Sequence, residues 1–165
     1  MSTSALQRIT FSPAAKLLRW LPTVLWLCVL AWFSTDLFSA HNTGSILWKV
    51  AHALFSGITR RQFEILHFFV RKAAHFGSYG FLGVLAFYAW RATFPGPQRW
   101  TFRWSGLALA LTLAAASLDE FHQTFVSSRT GNPRDVALDM VGALFFQILI
   151  ATFVSGRRKR RAGLA

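Results

Sequence analysis

The sequence predicts an all-α, polytopic membrane protein: four transmembrane helices, plus an amphipathic helix lying at the outer face between the first two. Three observations predict it. Of 165 residues, 53% are apolar and only 15% charged, which is not the balance of an ordinary soluble domain. Four stretches approach the roughly 20 apolar residues needed to cross a hydrocarbon core about 30 Å thick. They are Trp20 to Phe38, Ala73 to Trp90, Trp104 to Leu118 and Val136 to Phe153. Finally, 18 Lys and Arg stand against six Asp and Glu, net +12, in the company of 17 Phe and 7 Trp. That combination points to a membrane, not nucleic acid, as the partner. The chain reads as a single integral membrane domain over 1–165, with a core at 20–154 and a basic tail at 155–165.

The first span, preceded by Arg8, Lys16 and Arg19, reads as an uncleaved anchor. Phe38-Ser39-Ala40 sets a bulky Phe where signal cleavage wants a small residue. Pro22 is expected near the start of this helix, where its missing N–H matters least. Next, Ile46, Leu47, Val50, Ala51, Leu54 and Phe55 recur at helical spacing, as suits a helix in the headgroup plane with Trp48 and Lys49 at the interface. Thr59 and Gln62 form a capping box that opens a helix running through Arg71 into the second span. Phe94-Pro95-Gly96-Pro97 is the inner turn.

Only 15 residues separate Arg103 from Asp119, about 22 Å of helix, so the third helix must continue to about Phe125 to cross. Its acids then sit within the outer leaflet. Stepping by 3.6 from Gly106 through Ala110, Leu113 and Ser117 reaches Glu120, which is expected to share a small-residue face and point into the bundle. Asn132 as N-cap and Pro133 at the first helical position open the last helix, where Asp135, Asp139, Gly142 and Phe146 share a face. Cys28 is the one cysteine, so neither an internal disulfide nor a CxxC metal site can form.

Cations are more numerous on the side holding both termini, at Arg8, Lys16, Arg19, Arg91, Arg99, Arg103 and the run Arg157 to Arg161. The positive-inside rule therefore predicts cytoplasmic termini and turns all six acids outward. Ionisable groups in lipid are tolerated where they face other helices or trapped water. Arg71, His75 and Tyr79 fall at i, i+4 and i+8, one stripe on the second helix. A second patch runs from Asp119, Glu120, His122 and Gln123 through Arg129 to Asp135 and Asp139. One outer-leaflet pocket carrying both signs of charge is the expectation.

At these residues the sequence resembles the VanZ-like family of bacterial membrane proteins. Lys72-Ala73-Ala74-His75 with Tyr79 resembles the family's first block. Asp119-Glu120-Phe121-His122-Gln123, Arg129-Thr130 and Asp135 with Gly142 resemble its second, and Phe33-Ser34-Thr35-Asp36 the end of its first span. His122 and Asp139 depart from the small polar residue and the Asn common at those places. The resemblance implies a multi-pass protein of the bacterial cytoplasmic membrane whose named relative raises resistance to teicoplanin; it implies no particular chemistry.

The leading reading is a site for an anionic lipid headgroup or lipid-linked envelope precursor. Arg71, Lys72 and Arg129 are expected to hold phosphate, with His75, Tyr79, Asp119, Glu120, Gln123 and Asp135 completing the walls. A second is an intramembrane hydrolase or transferase with Asp119 or Glu120 as base and His75 or His122 as acid, although no GxSxG, HExxH or P-loop is present. In a third the charges neutralise one another and only fix helix register. No cofactor or metal is expected, and a homo-oligomer is left open.

Overall fold

The computed structural model describes residues 12–94, 100–127, 129 and 131–162; for residues 41 and 154–162 it describes the backbone alone. The described residues are helical throughout their regular parts. The helices are α1 (Pro13–Phe33), α2 (Ala40–Leu54), α3 (Arg60–Thr93), α4 (Phe102–Gln123) and α5 (Pro133–Ala162), with a 3-10 turn at Asp36–Phe38. By length and composition α1 and Pro133–Phe153 of α5 are long and apolar enough to cross a membrane. The other two predicted spans lie in α3 and α4, whose apolar runs are diluted by Gly, Ser, His, Tyr and acids. The turn at Pro95 to Pro97, Arg8, Arg99, Thr130 and the side chains of Arg157 to Arg161 lie outside the described residues.

Two features of α1 differ from expectation. It begins at Pro13 because the Ser12 side chain accepts the Ala15 N–H at 3.2 Å and Pro13 sits where no N–H is needed. Pro22 is consequently inside the helix and frees a carbonyl there. The helix also stops at Phe33, short of Phe38. Arg129 Nη2 donates to the carbonyls of Phe33 at 2.8 Å and Thr35 at 3.1 Å, so a cation answers the unpaired carbonyls at the helix end.

In α2, Ile46, Leu47, Val50 and Leu54 are exposed, and Phe55 follows them. The helix is moored by Trp48, whose ring meets Phe63 at 5.2 Å and lies under the Arg60 guanidinium at 4.9 Å. The expected capping box opens α3: Gln62 N–H donates to Thr59 Oγ1 at 3.3 Å and Thr59 N–H to Gln62 Oε1 at 2.9 Å.

Helix α3 is the hub, packed on α1, α4 and most extensively α5. Glycine makes the last contact close. A Cβ on Gly142 would run into the Phe76 carbonyl, and one on Gly80 into the Phe146 ring. Gly77, by contrast, faces open space. The predicted α5 face of Asp135, Asp139, Gly142 and Phe146 does turn inward, with Asp139 and Gly142 buried.

The α4 face is rotated from the expected one. Glu120 is buried as predicted, but Gly106, Ala110, Leu113 and Ser117 are exposed. The packed stripe is instead Trp104, Ser105, Ala108, Thr112, Ala116 and Glu120. Small residues populate both faces of α4, so size alone did not select one. Ser105 is on the buried side because its hydroxyl donates to Gln147 Oε1 at 2.9 Å, and Gln147 Nε2 donates to the Gly83 carbonyl at 2.8 Å. This dry relay ties α4, α5 and α3. Apolar contacts flank it: Ala86, Phe87, Trp104, Ala108 and Ile150 in one cluster, Leu30, Tyr79, Leu82 and Ala116 in the other.

Candidate functional site

The polar residues of α3, the end of α4, the loop after it and the start of α5 converge at one end of the bundle. They divide into two groups by what they touch. The first group joins helices. The Lys72 ammonium meets the Asp135 carboxylate, tying α3 to α5. Glu120 Oε2 accepts the Asn132 N–H at 2.7 Å, and Asn132 Oδ1 in turn accepts the Arg134 N–H at 3.1 Å, so a carboxylate steadies the N-cap of α5. Gly131 permits this approach, since a Cβ there would strike the Glu120 carbonyl. Gln123 Nε2 supports Asp119 Oδ2 at 3.2 Å.

The second group lines a cavity of about 290 Å³. Its polar wall includes His67, Arg71, His75, Tyr79, Asp119 and Arg129, and its apolar wall Leu30, Phe33, Phe38 and Leu47. Tyr79 donates its hydroxyl to Asp119 Oδ2 at 2.8 Å and is itself buried. His75 Nδ1 lies 3.3 Å from Oδ1 of the buried Asp139. Arg71 Nη1 and Arg129 Nε are buried without a hydrogen-bond partner. Among the described residues the ion pairs are Arg60–Glu64, Lys72–Asp135 and His75–Asp139, so neither arginine has a carboxylate at contact distance. Burial lowers the pKa of Arg129 from its ordinary value, and the nearby charge of Arg71 lowers it further. Two guanidiniums thus belong to the wall of one cavity, each with a buried N–H group that has no partner. That is the chemistry of an anion site, because planar forked donors match phosphate or carboxylate oxygens.

Of the predicted headgroup residues, Arg71, His75, Tyr79, Asp119 and Arg129 line this cavity. Lys72, Glu120, Gln123 and Asp135 do not: Lys72 and Asp135 pair with each other, Glu120 holds the Asn132 N–H, and Gln123 supports Asp119. Of the predicted catalytic candidates, Asp119 and His75 reach it, Glu120 is turned into the loop, and His122 stands apart, its Nδ1 3.1 Å from Ser34 Oγ. No group of three or more His, Cys, Asp or Glu among the described residues is arranged to hold a metal.

Four polar wall residues, Ser34, Thr43, His67 and Ser78, carried no predicted role in the site. His67 extends the Arg71, His75, Tyr79 stripe one step of four toward the N-terminus, and that register was its signal. Ser34 closes the α1 end, where only the Phe33-Ser34-Thr35-Asp36 segment marked it.

A family model described as VanZ/LLP1 matches residues 19–154. Neither a curated protein nor a solved structure matches the chain. The matched stretch takes in every side chain of the cluster and most of each helix, and the chain belongs to the VanZ/LLP1 family.

Proposed function

We propose that the chain crosses the bacterial cytoplasmic membrane four times with both termini inside, and that its cavity receives the anionic head of an outer-leaflet lipid or lipid-linked envelope precursor. In this reading α2 lies in the outer headgroup plane and the whole chain is one membrane domain. The observation that carries it is the pair Arg71 and Arg129, two cations on one cavity with buried N–H groups unpaired. Uncompensated donors of this kind are costly unless a ligand or water answers them. The test is native mass spectrometry of purified protein with phosphatidic acid. Arg71→Gln should weaken binding about tenfold or more, the worth of a charge-assisted hydrogen bond to phosphate. Unchanged binding by folded Arg71→Gln protein would contradict the reading.

One observation favours a second reading, an intramembrane hydrolase or transferase. His75 lines the cavity with Asp139 Oδ1 3.3 Å from its Nδ1, a carboxylate beside an imidazole that could serve as general base or acid. Turnover of a phosphate-headed lipid, lost in His75→Gln with binding retained, would establish it.

A further inference from the structure

We infer that the hydrocarbon chain of the bound lipid leaves the cavity sideways, through the cleft between α1 and α4, so that the ligand is loaded from the bilayer and not from water. The inference rests on the headgroup reading and extends it to the tail.

A second cavity of about 330 Å³ adjoins the first, and Leu30, Ser34, Tyr79 and Asp119 belong to the walls of both. Away from that shared wall its lining turns apolar, through Leu27, Ala31, Ala115 and Leu118. These come from α1 and α4, whose own contact is limited to side chains around Leu30 and Ala116, α1 packing chiefly on α3. Ala31 and Leu118 are exposed, so the cleft opens to the outside of the bundle along its flank.

At its polar end the cleft is bridged. Ser34 Oγ and His122 Nδ1 meet at 3.1 Å across it, and Arg129 holds the carbonyls of Phe33 and Thr35. Trp26 Nε1 donates to the Ser78 carbonyl at 2.9 Å and fixes α1 on α3 behind it. The result is a space with cations at its head, a polar bridge over the top and an unsealed apolar side. A molecule whose phosphate sits between Arg71 and Arg129 has in this cleft an apolar route for its chain, and it leads into lipid. Free phosphate would use the first cavity and leave the second without an apolar occupant.

The experiment uses the full chain in phosphatidylcholine nanodiscs with phosphatidic acid bearing a photoactivatable diazirine midway along one acyl chain. Adducts are mapped by peptide mass spectrometry, and inorganic phosphate binding is followed separately by phosphorus NMR. Adducts are expected at Leu27, Ala31, Ala115 or Leu118, falling tenfold or more in Arg71→Gln and in Ala115→Trp, while Ala115→Trp still binds inorganic phosphate. Adducts that depend on Arg71 but lie elsewhere would overturn the lateral route and leave the headgroup reading standing. Cleft adducts indifferent to Arg71→Gln would mark ordinary boundary lipid and overturn both. Loss of phosphate binding in Ala115→Trp would overturn the separation of head from chain.

Discussion

Glu120 and Asp119 are neighbours in sequence with opposite duties. Glu120 spends its carboxylate on the Asn132 N–H, whereas Asp119 takes the Tyr79 hydroxyl at the cavity wall. Glu120→Gln keeps an acceptor for that N–H, so it should retain both stability and ligand binding. Glu120→Ala leaves a buried donor unanswered and should cost about 1–3 kcal/mol, read as a lowered unfolding temperature in detergent. A similar contrast separates Lys72 from Arg71. Lys72→Ala strands Asp135 and should destabilise by about 1–3 kcal/mol, between the worth of an exposed pair and a buried one. Arg71→Gln removes a half-buried cation with an unpartnered N–H group and should leave the unfolding temperature unchanged or raised while ligand affinity falls. Equal thermal losses in the two variants would show that the cluster does not divide as described.

Among the elements, the α3–α5 seam sets how close the charged groups can come. Gly142→Ala drives a methyl into the Phe76 backbone and should destabilise by about 1–3 kcal/mol, whereas Gly77→Ala meets open space and should be neutral or stabilising by up to about 1 kcal/mol. Thermal unfolding of the two variants side by side checks this. These same helices show what the sequence made legible. The capping box at Thr59, the Asn132-Pro133 start and the inward Asp135, Asp139, Gly142 face were readable because each is a local pattern with a local cause. The buried face of α4 was not, since its small residues lie all round and the choice is made by Gln147 on another helix. Nor was the division between bracing and cavity residues. Lys72 and Arg71 are adjacent cations, and only the reach of Asp135 from α5 decides which of them is occupied.

The whole molecule is organised by the length of α3. Its 34 residues extend about 51 Å, well beyond a hydrocarbon core of about 30 Å, so in the proposed four-span arrangement one end stands outside the apolar layer. The first turns carry Arg60, Arg61 and Glu64 and moor α2, which fits an outer interfacial unit beside the site. Single cysteines placed in a Cys28→Ala background test this arrangement. Gly57→Cys and Ser127→Cys should react with a membrane-impermeant maleimide in intact cells, and Thr101→Cys only after permeabilisation. The reverse pattern would invert the topology.

In the proposed function Arg71 and Arg129 act on one anion. A double-mutant cycle on phosphatidic acid affinity, with Arg71→Gln, Arg129→Gln and both together, tests it most directly. Each single change should weaken binding about tenfold or more, and the double variant should fall short of their product by about 1 kcal/mol or more of coupling. Independent effects that multiply, or no loss in any variant of folded protein, would contradict it.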